Sequence, residues 1–298
     1  MPQPTSVPPP ESLEWVDCNL CHWPTHRSRF ARRGFSIVEC PNCSLCWVNP
    51  RLTPAAASQV YDEGYFQARN RARTASDTGE ADFKWINARQ RLERLEPHRG
   101  EGRILDVGCG EGLFLRAAQA NGWEVTGVEL SPQAAAMARE ALPDRIHQGT
   151  LRQAGLPPAA FDVVTMFDVV EHFHDPVTEL AEVHRLLKPG GVLCLLTPDC
   201  GSLPARLMGR FWFEVKPLEH LYYYSRRTVG LLLERTGFVP LETRNVGKVL
   251  TFEYIAQILD KERSPAGPVL RWSTRWTPLY TRPIQYGAGF VAALAQKR

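Results

Sequence analysis

The chain has 298 residues, of which 44% are hydrophobic and 22% charged, with eight cysteines and a formal net charge of +3. That length suits one large domain plus a small one, and the composition is that of an ordinary globular chain. No apolar run approaches the ~20 residues of a membrane span. The opening MPQPTSVPPPES lacks the basic-then-apolar pattern of a secretion signal. Residues 1–14 therefore read as a disordered Pro-rich lead, and the expected compartment is the cytoplasm, where eight cysteines need not pair. The small net charge hides an asymmetry. Residues 101–200 carry 7 Lys/Arg against 14 Asp/Glu, whereas residues 201–298 carry 15 against 7. A basic C-terminal third is either a solvated surface or a face for an anionic substrate or a membrane surface.

In chain order, the first chemistry is Cys18-x-x-Cys21 and Cys40-x-x-Cys43, two knuckles with 18 residues between them. This spacing is that of a zinc site. Four thiolates complete a tetrahedron and leave no open position, so the zinc is expected to be structural. Phe35–Glu39 reads as one strand of a hairpin between the knuckles. Cys46 is a spare thiol, and His22 and His26 are possible substitutes. The zinc ribbon is expected over 15–50 and connecting helices over 51–99: a short one from Pro54 to Tyr61, an aromatic cluster Tyr61-x-x-x-Tyr65-Phe66, and a longer helix from about Ala81 to Leu95.

The organising stretch is Arg103–Glu129. Ile104–Val107 is an apolar strand, Gly108-Cys109-Gly110-Glu111-Gly112 a glycine turn, Leu113 to about Ala120 a helix, and Val125–Val128 a second strand closing on Glu129. Strand, turn, helix, strand is a βαβ unit with parallel strands. Glycines permit a tight turn against a ligand. A carboxylate 21 residues after Gly108 is placed to accept ribose hydroxyls. The spacing is G-x-G-x-G rather than the dinucleotide G-x-G-x-x-G, and Leu113 stands where the last glycine would be. A dinucleotide site and a purely structural turn are the competing readings.

With Asp106 two residues before the first glycine, D106-V-G-C-G-E-G112 resembles the first motif, D/E-x-G-x-G-x-G, of the class I S-adenosylmethionine (SAM) methyltransferases. The resemblance implies SAM as cofactor. Gly108, Gly110 and Gly112 would face its aminoacyl end and Glu129 its ribose, with Leu130 beside them. Asp106 would orient the turn or hold the ligand ammonium through water. Ser131-Pro132 starts a helix to about Ala141, and Arg145–Gln148 is a weak third strand. The family often has an acidic residue near 149–151 for the adenine amine; here Gly-Thr-Leu stands there, leaving the backbone or Thr150.

Phe161–Phe167 is apolar on both faces, as in a buried parallel strand. It runs into Asp168-Val-Val-Glu171-His172-Phe-His174-Asp175-Pro176, at the strand end where open α/β sheets bind ligands. A helix to Leu187, a strand Val192–Leu196, a capped helix Arg226–Arg235 and a strand Phe238–Arg244 follow. The string FDVVTMFDVVEHFHDP…LKPGG resembles the small-molecule branch of these methyltransferases, notably the ubiquinone-biosynthesis O-methyltransferases, over about 100–245. The implied fold is α/β: a Rossmann-like seven-stranded, mostly parallel sheet with an antiparallel last strand, here Gly289–Gln296, preceded by the ribbon. The methyltransferase domain then spans 100–298 with an insertion over 247–287. Within that insertion, Arg271-Trp272-x-x-Arg275-Trp276 suits either a packed aromatic helix or a membrane edge.

Methyl transfer to a hydroxyl needs aligned reactants and a proton acceptor, and histidine suits the latter near neutral pH. His172 and His220 are the candidates, with Asp168 and Glu171 to orient an imidazole; Asp168 also borders the cofactor. Each histidine alone is as readily structural. The expected acceptor is a hydroxylated small molecule or a glycan precursor. The alternative is a ribosomal-RNA methyltransferase that reads RNA through its zinc ribbon, suggested by the patches Arg27–Arg33 and Arg69–Arg73. Against it, residues 1–100 are almost balanced in charge, 13 Lys/Arg to 11 Asp/Glu. A SAM-binding fold without catalysis is a third reading.

Overall fold

The structure is a computed structural model and describes residues 9–60, 80–261 and 266–298. The expected aromatic cluster over 61–66 lies outside these residues, as does the arginine patch 69–73. The described residues open with a 3-10 turn, Pro10–Ser12, and β1 (Leu13–Glu14). The ribbon strands follow: β2 (Arg27–Arg32), β3 (Phe35–Glu39), β4 (Cys46–Val48) and β5 (Arg51–Leu52). β1 pairs antiparallel with β5, and the Arg51 guanidinium reaches Glu14 at 2.8 Å. Ordered structure therefore begins before residue 15, because the end of the lead has a strand and an ion pair to join.

Helix α1 (Pro54–Val60) and helix α2 (Glu80–Leu95) lead to β6 (Arg103–Val107). From there strand and helix alternate: α3 (Leu113–Ala120), β7 (Glu124–Glu129), α4 (Pro132–Ala141), β8 (Ile146–Gln148), β9 (Phe161–Phe167), α5 (Pro176–Leu186) and β10 (Leu187–Pro198). Side chains cap these helices as the sequence suggests. Ser131 Oγ accepts from Ala134 N and Asp175 from Thr178 N, each satisfying an amide the helix leaves orphaned. Next come α6 (Leu203–Met208), β11 (Tyr222–Tyr223), α7 (Arg226–Arg235), β12 (Phe238–Leu250), α8 (Phe252–Lys261), α9 (Ala266–Thr274) and β13 (Ile284–Lys297).

The large sheet has seven strands in the order β12-β13-β10-β9-β6-β7-β8. β6, β7, β8, β9 and β10 pair in parallel, and β13 lies antiparallel between β10 and β12. This is the doubly wound, mostly parallel sheet with antiparallel closure that the sequence implied. β9 is buried along its length up to Phe167, as a central strand covered on both faces must be. The order reverses between β6 and β9, so their C-terminal ends frame the crevice in which such sheets bind ligands.

Two features extend the expected plan. β12 and β13 are 13 and 14 residues long and pair as far out as Leu250 with Ile284. The segment outside the sheet is thus 251–283, shorter than the expected 247–287. Trp272 on helix α9 is 73% exposed and Trp276, in the turn just after it, 80%, with Arg275 over the Trp276 ring. In addition, the ribbon sheet has four strands in the order β11-β4-β3-β2, so one of its strands comes from residues 222–223.

Candidate active site

The glycine turn joins β6 to α3 directly under the crevice. Gly108 has φ +72°, and a Cβ built there would lie 2.5 Å from Val169 Cγ2 on the loop after β9. Glycine is required at that point for both conformation and space. Gly110 has φ +57°, but its Cβ would meet nothing within 4 Å: the turn is bare on the side that a ligand would occupy. Glu129, at the end of β7, holds this turn. One oxygen accepts from Gly110 N at 2.8 Å, the other from Ser131 N at 2.8 Å. A carboxylate has about four acceptor positions, so Glu129 keeps capacity for two hydroxyls. Leu130 beside it is 63% exposed.

Asp106 is 4% exposed, and its Oδ1 accepts from Thr165 Oγ1 at 2.6 Å. Burial pushes its carboxyl up to about 7, against the lowering effects of that hydrogen bond and of the Arg91 charge. Its bond crosses to β9 rather than to the turn, so it braces the two central strands beneath the crevice. Thr150 forms a local turn: its N donates to Gln153 Oε1 and its Oγ1 accepts from Gln153 N.

The other wall is the loop after β9. Asp168 has φ +59°. Its Oδ2 accepts from Lys248 Nζ at 2.6 Å, while its Oδ1 is buried without a hydrogen-bond partner. Burial opposes ionisation of Asp168, but the Lys248 and Arg91 charges outweigh it and hold the carboxyl below its ordinary value. Glu171 is 1% exposed in the 3-10 turn Val170–His172. Its Oε2 accepts from Thr197 Oγ1 at 2.8 Å, and burial together with the Asp168 charge pushes it up to about 8. The His172 and His220 rings meet edge to face, centroids 4.9 Å apart. One follows β9 and the other precedes β11, so the fold brings together the pair that the sequence singled out.

In the ribbon, the Sγ atoms of Cys18, Cys21, Cys40 and Cys43 all lie within 4.8 Å of one another, with Cys18–Cys43 and Cys21–Cys40 at 3.4 Å. A tetrahedron with Zn–S of about 2.3 Å has edges of about 3.8 Å, so the four sulfurs fit one ion. His22 N donates to Cys18 O and Ser44 N to Cys40 O, closing matched turns around the two knuckles. Cys46 stands apart and accepts from Arg29 Nη1 at 2.9 Å. His22 is turned to Arg235 and His26 packs against Trp15 and Trp47.

Over residues 83–243, more than half of its length, the sequence matches the family described as a methyltransferase domain. The chain belongs to this methyltransferase family. A malonyl-[acyl-carrier protein] O-methyltransferase of Serratia marcescens is 35% identical to it over 159 residues, 52% of this chain and 61% of that protein. A ubiquinone biosynthesis O-methyltransferase of Xanthomonas campestris is 38% identical over 101 residues, 32% of this chain and 42% of that one. The matched region thus spans less than two thirds of the length of each of these relatives. A SAM-dependent methyltransferase from Archaeoglobus fulgidus shares the fold, with a TM-score of 0.52 at 20% identity over 78% of this chain and 99% of that one.

The crevice has the features that a SAM cofactor would need: a bare turn, a carboxylate at the end of β7 with spare acceptor capacity, and a buried Asp168 oxygen without a donor. Two side chains at the site escaped the sequence reading. Arg91 on α2 lies over the Phe167 ring at 4.4 Å and projects its charge toward Asp168 and Asp106. Lys248 arrives on the part of β12 beyond its expected end and sits 3.8 Å from the Phe290 ring centroid. Neither lies near a motif; only the register of β12 against β13 reveals Lys248.

Proposed function

We propose that this methyltransferase transfers the SAM methyl group to a hydroxyl of a small-molecule acceptor held against the loop after β9. Gly108, Gly110, Gly112, Glu129 and Leu130 line the donor side, with Thr150 at its far end. SAM supplies an electrophilic methyl on a sulfonium. The chain's own task is to hold the acceptor oxygen in line, exclude water and remove the hydroxyl proton. His172 and His220 are the proton-handling groups, and Asp168 fixes their electrostatic setting.

One observation carries this reading: two imidazoles in ring contact beside a buried carboxylate, at the sheet end that also carries the glycine turn. That group suits a neutral hydroxyl. Nothing at the site favours the ribosomal-RNA alternative. A sugar or glycan-precursor hydroxyl is the narrower class within this reading. Labelled SAM added with the enzyme to fractionated cell extract tests both levels. Label should enter small metabolites, and label in a single ribosomal-RNA nucleotide would overturn the proposal.

The ribbon is proposed to hold one structural Zn²⁺ on Cys18, Cys21, Cys40 and Cys43, with Cys46 dispensable. Support comes from the convergence of four sulfurs to tetrahedral spacing. Metal analysis should find one zinc retained in Cys46→Ser and lost in the Cys18→Ser/Cys40→Ser double variant; zinc retained in the double variant would refute the assignment.

A further inference from the structure

Apart from the four ribbon sulfurs of the zinc proposal, the chain carries Cys46, Cys109, Cys194 and Cys200. Burial pushes Cys109 up beyond the ordinary thiol range and Cys194 up to about 11, so both behave as small apolar side chains. Cys46 and Cys200 differ. They are far apart in sequence, and the fold brings them to one place. Cys46 lies on β4 and is paired with Tyr223 of β11 in the strand register. Cys200 follows β10; its N donates to Tyr224 O at 2.8 Å, and its Sγ lies 3.3 Å from Tyr223 O. Both thiols adjoin the same residue of β11, and each is the other's strongest influence on protonation.

Two neighbouring thiols would by themselves be ordinary packing. Two further observations argue for chemistry. The first is charge. Arg29 on β2 donates from Nη1 to Cys46 Sγ at 2.9 Å, while Glu39 lies farther from the same guanidinium, 3.8 Å from Nε. A guanidinium is always charged and favours an anionic partner, which marks Cys46 as the thiolate of the pair. Cys46 is held below its ordinary value by the Cys200 thiol, against burial, with the Arg29 charge adding to the lowering. Cys200 is pushed well up and keeps its proton. The second is access. Arg29, Cys46 and Cys200 line a cavity of about 110 Å³ together with Arg206, Trp212 and Tyr223. A water molecule occupies about 30 Å³ in the liquid, so a molecule the size of hydrogen peroxide fits. None of the lining residues belongs to the glycine turn or to the loop after β9.

We propose that Cys46 and Cys200 are a reversible oxidation site: hydrogen peroxide oxidises Cys46, and Cys200 converts the product to a Cys46–Cys200 disulfide. The Cys46 thiolate attacks one peroxide oxygen. The S–O bond forms, the O–O bond breaks, and hydroxide leaves and takes a proton from solvent to become water. The Cys200 sulfur then attacks the sulfenic sulfur. The S–S bond forms, the S–O bond breaks, and the oxygen departs as a second water with the Cys200 proton. Two electrons pass from the thiols to the peroxide, and a dithiol reductant returns them by exchange. The disulfide ties β4 of the ribbon to the segment after β10 and removes the anionic partner of Arg29. Reversible pairs of this kind serve as redox sensors where other thiols stay reduced.

The test treats the full chain, saturated with Zn²⁺, with hydrogen peroxide. Mass mapping of a non-reducing digest should find Cys46 linked to Cys200, and dithiothreitol should reverse the link. Cys200→Ala blocks the second step, so dimedone should then trap Cys46 as its sulfenic acid. In Arg29→Gln the disulfide should form about tenfold more slowly, because the thiolate loses its cation. Arg29→Lys, which keeps the charge, should oxidise at close to the wild-type rate, and this separates charge from packing. Thermal melts report that each variant is folded. Three results would each overturn the proposal: no Cys46–Cys200 link in wild type, release of zinc by peroxide before any link appears, or no dimedone adduct on Cys46 in Cys200→Ala. Equal oxidation rates for wild type, Arg29→Lys and a folded Arg29→Gln would overturn it as well.

Discussion

Glu129 and Asp106 end or lie in neighbouring strands, yet their burial gives them different tasks. Glu129 accepts from Gly110 N and Ser131 N and keeps two acceptor positions, which we assign to the ribose hydroxyls of the proposed cofactor. Removing it by Glu129→Ala should weaken SAM binding by at least about 1.5–3 kcal/mol, the range of hydrogen bonds to a charged group. That is a tenfold loss or more by calorimetry; unchanged affinity would remove Glu129 from the cofactor site. Asp106 is sealed under the crevice, and burial raises its carboxyl to about 7. The raised value means that the folded protein keeps a proton which the unfolded chain has released. Its stabilising effect is therefore full below the ordinary carboxylic-acid pKa and is lost as pH rises toward about 7. Asp106→Asn, which cannot ionise, should gain stability relative to wild type between about pH 5 and about pH 8. Urea unfolding at both values checks this; a variant-to-wild-type difference that does not change with pH would contradict it.

The glycine turn shows how closely an element's sequence and geometry can agree. The D-x-G-x-G-x-G pattern specified a turn between a strand and a helix, and β6, the turn, α3 and β7 all fall where periodicity and caps placed them. The two central glycines nevertheless serve different ends. Gly108→Ala puts a Cβ against Val169 with φ positive, so it should destabilise the fold and disturb the loop that carries Asp168 and Glu171. Gly110→Ala meets no protein atom. It should lower stability only by the ~1–2 kcal/mol of a left-handed alanine while losing SAM affinity by a larger factor. Thermal melts and SAM titrations of the pair distinguish the roles; equal affinity losses per unit of lost stability would show that both positions are merely conformational. Elsewhere the sequence was less informative for physical reasons. The outer parts of β12 and β13 leave the core, and Gly247, Gly287 and Gly289 interrupt any alternation, so neither strand's full length nor the arrival of Lys248 was visible. β11 is two residues long, too short for a periodic signal, and its partner lies in the ribbon. The meeting of His172 with His220 depends on that same long-range pairing.

At the scale of the whole molecule, the ribbon backs the segment that carries His220 and so the proposed acceptor site. β4 pairs Cys46 with Tyr223 and Trp47 with Tyr222, and Val48 N donates to Leu221 O. Leu221 N in turn donates to Glu171 O. Arg51 bonds both the Tyr222 hydroxyl and His174 O, and Asn19 bonds Asp175. The segment holding Glu219, His220 and Leu221 is thus fixed from one side by the ribbon and from the other by the loop after β9. The glycine turn follows β6 and Glu129 ends β7, and among the described residues neither strand pairs with the ribbon. Loss of ribbon metal should therefore separate two properties that most damage to an enzyme reduces together. In the Cys18→Ser/Cys40→Ser variant, SAM affinity should stay within about threefold of wild type. Methyl transfer should fall by tenfold or more, as the positioning of His220 against His172 loosens. Hydrogen exchange supplies a readout independent of activity: the Leu221 amide, bonded to Glu171 O, should exchange faster in the variant, while Gly108 N, bonded to Val128 O, should not. If both amides kept wild-type protection while zinc was gone, the ribbon would be an appendage, and its role would have to be sought outside the acceptor site.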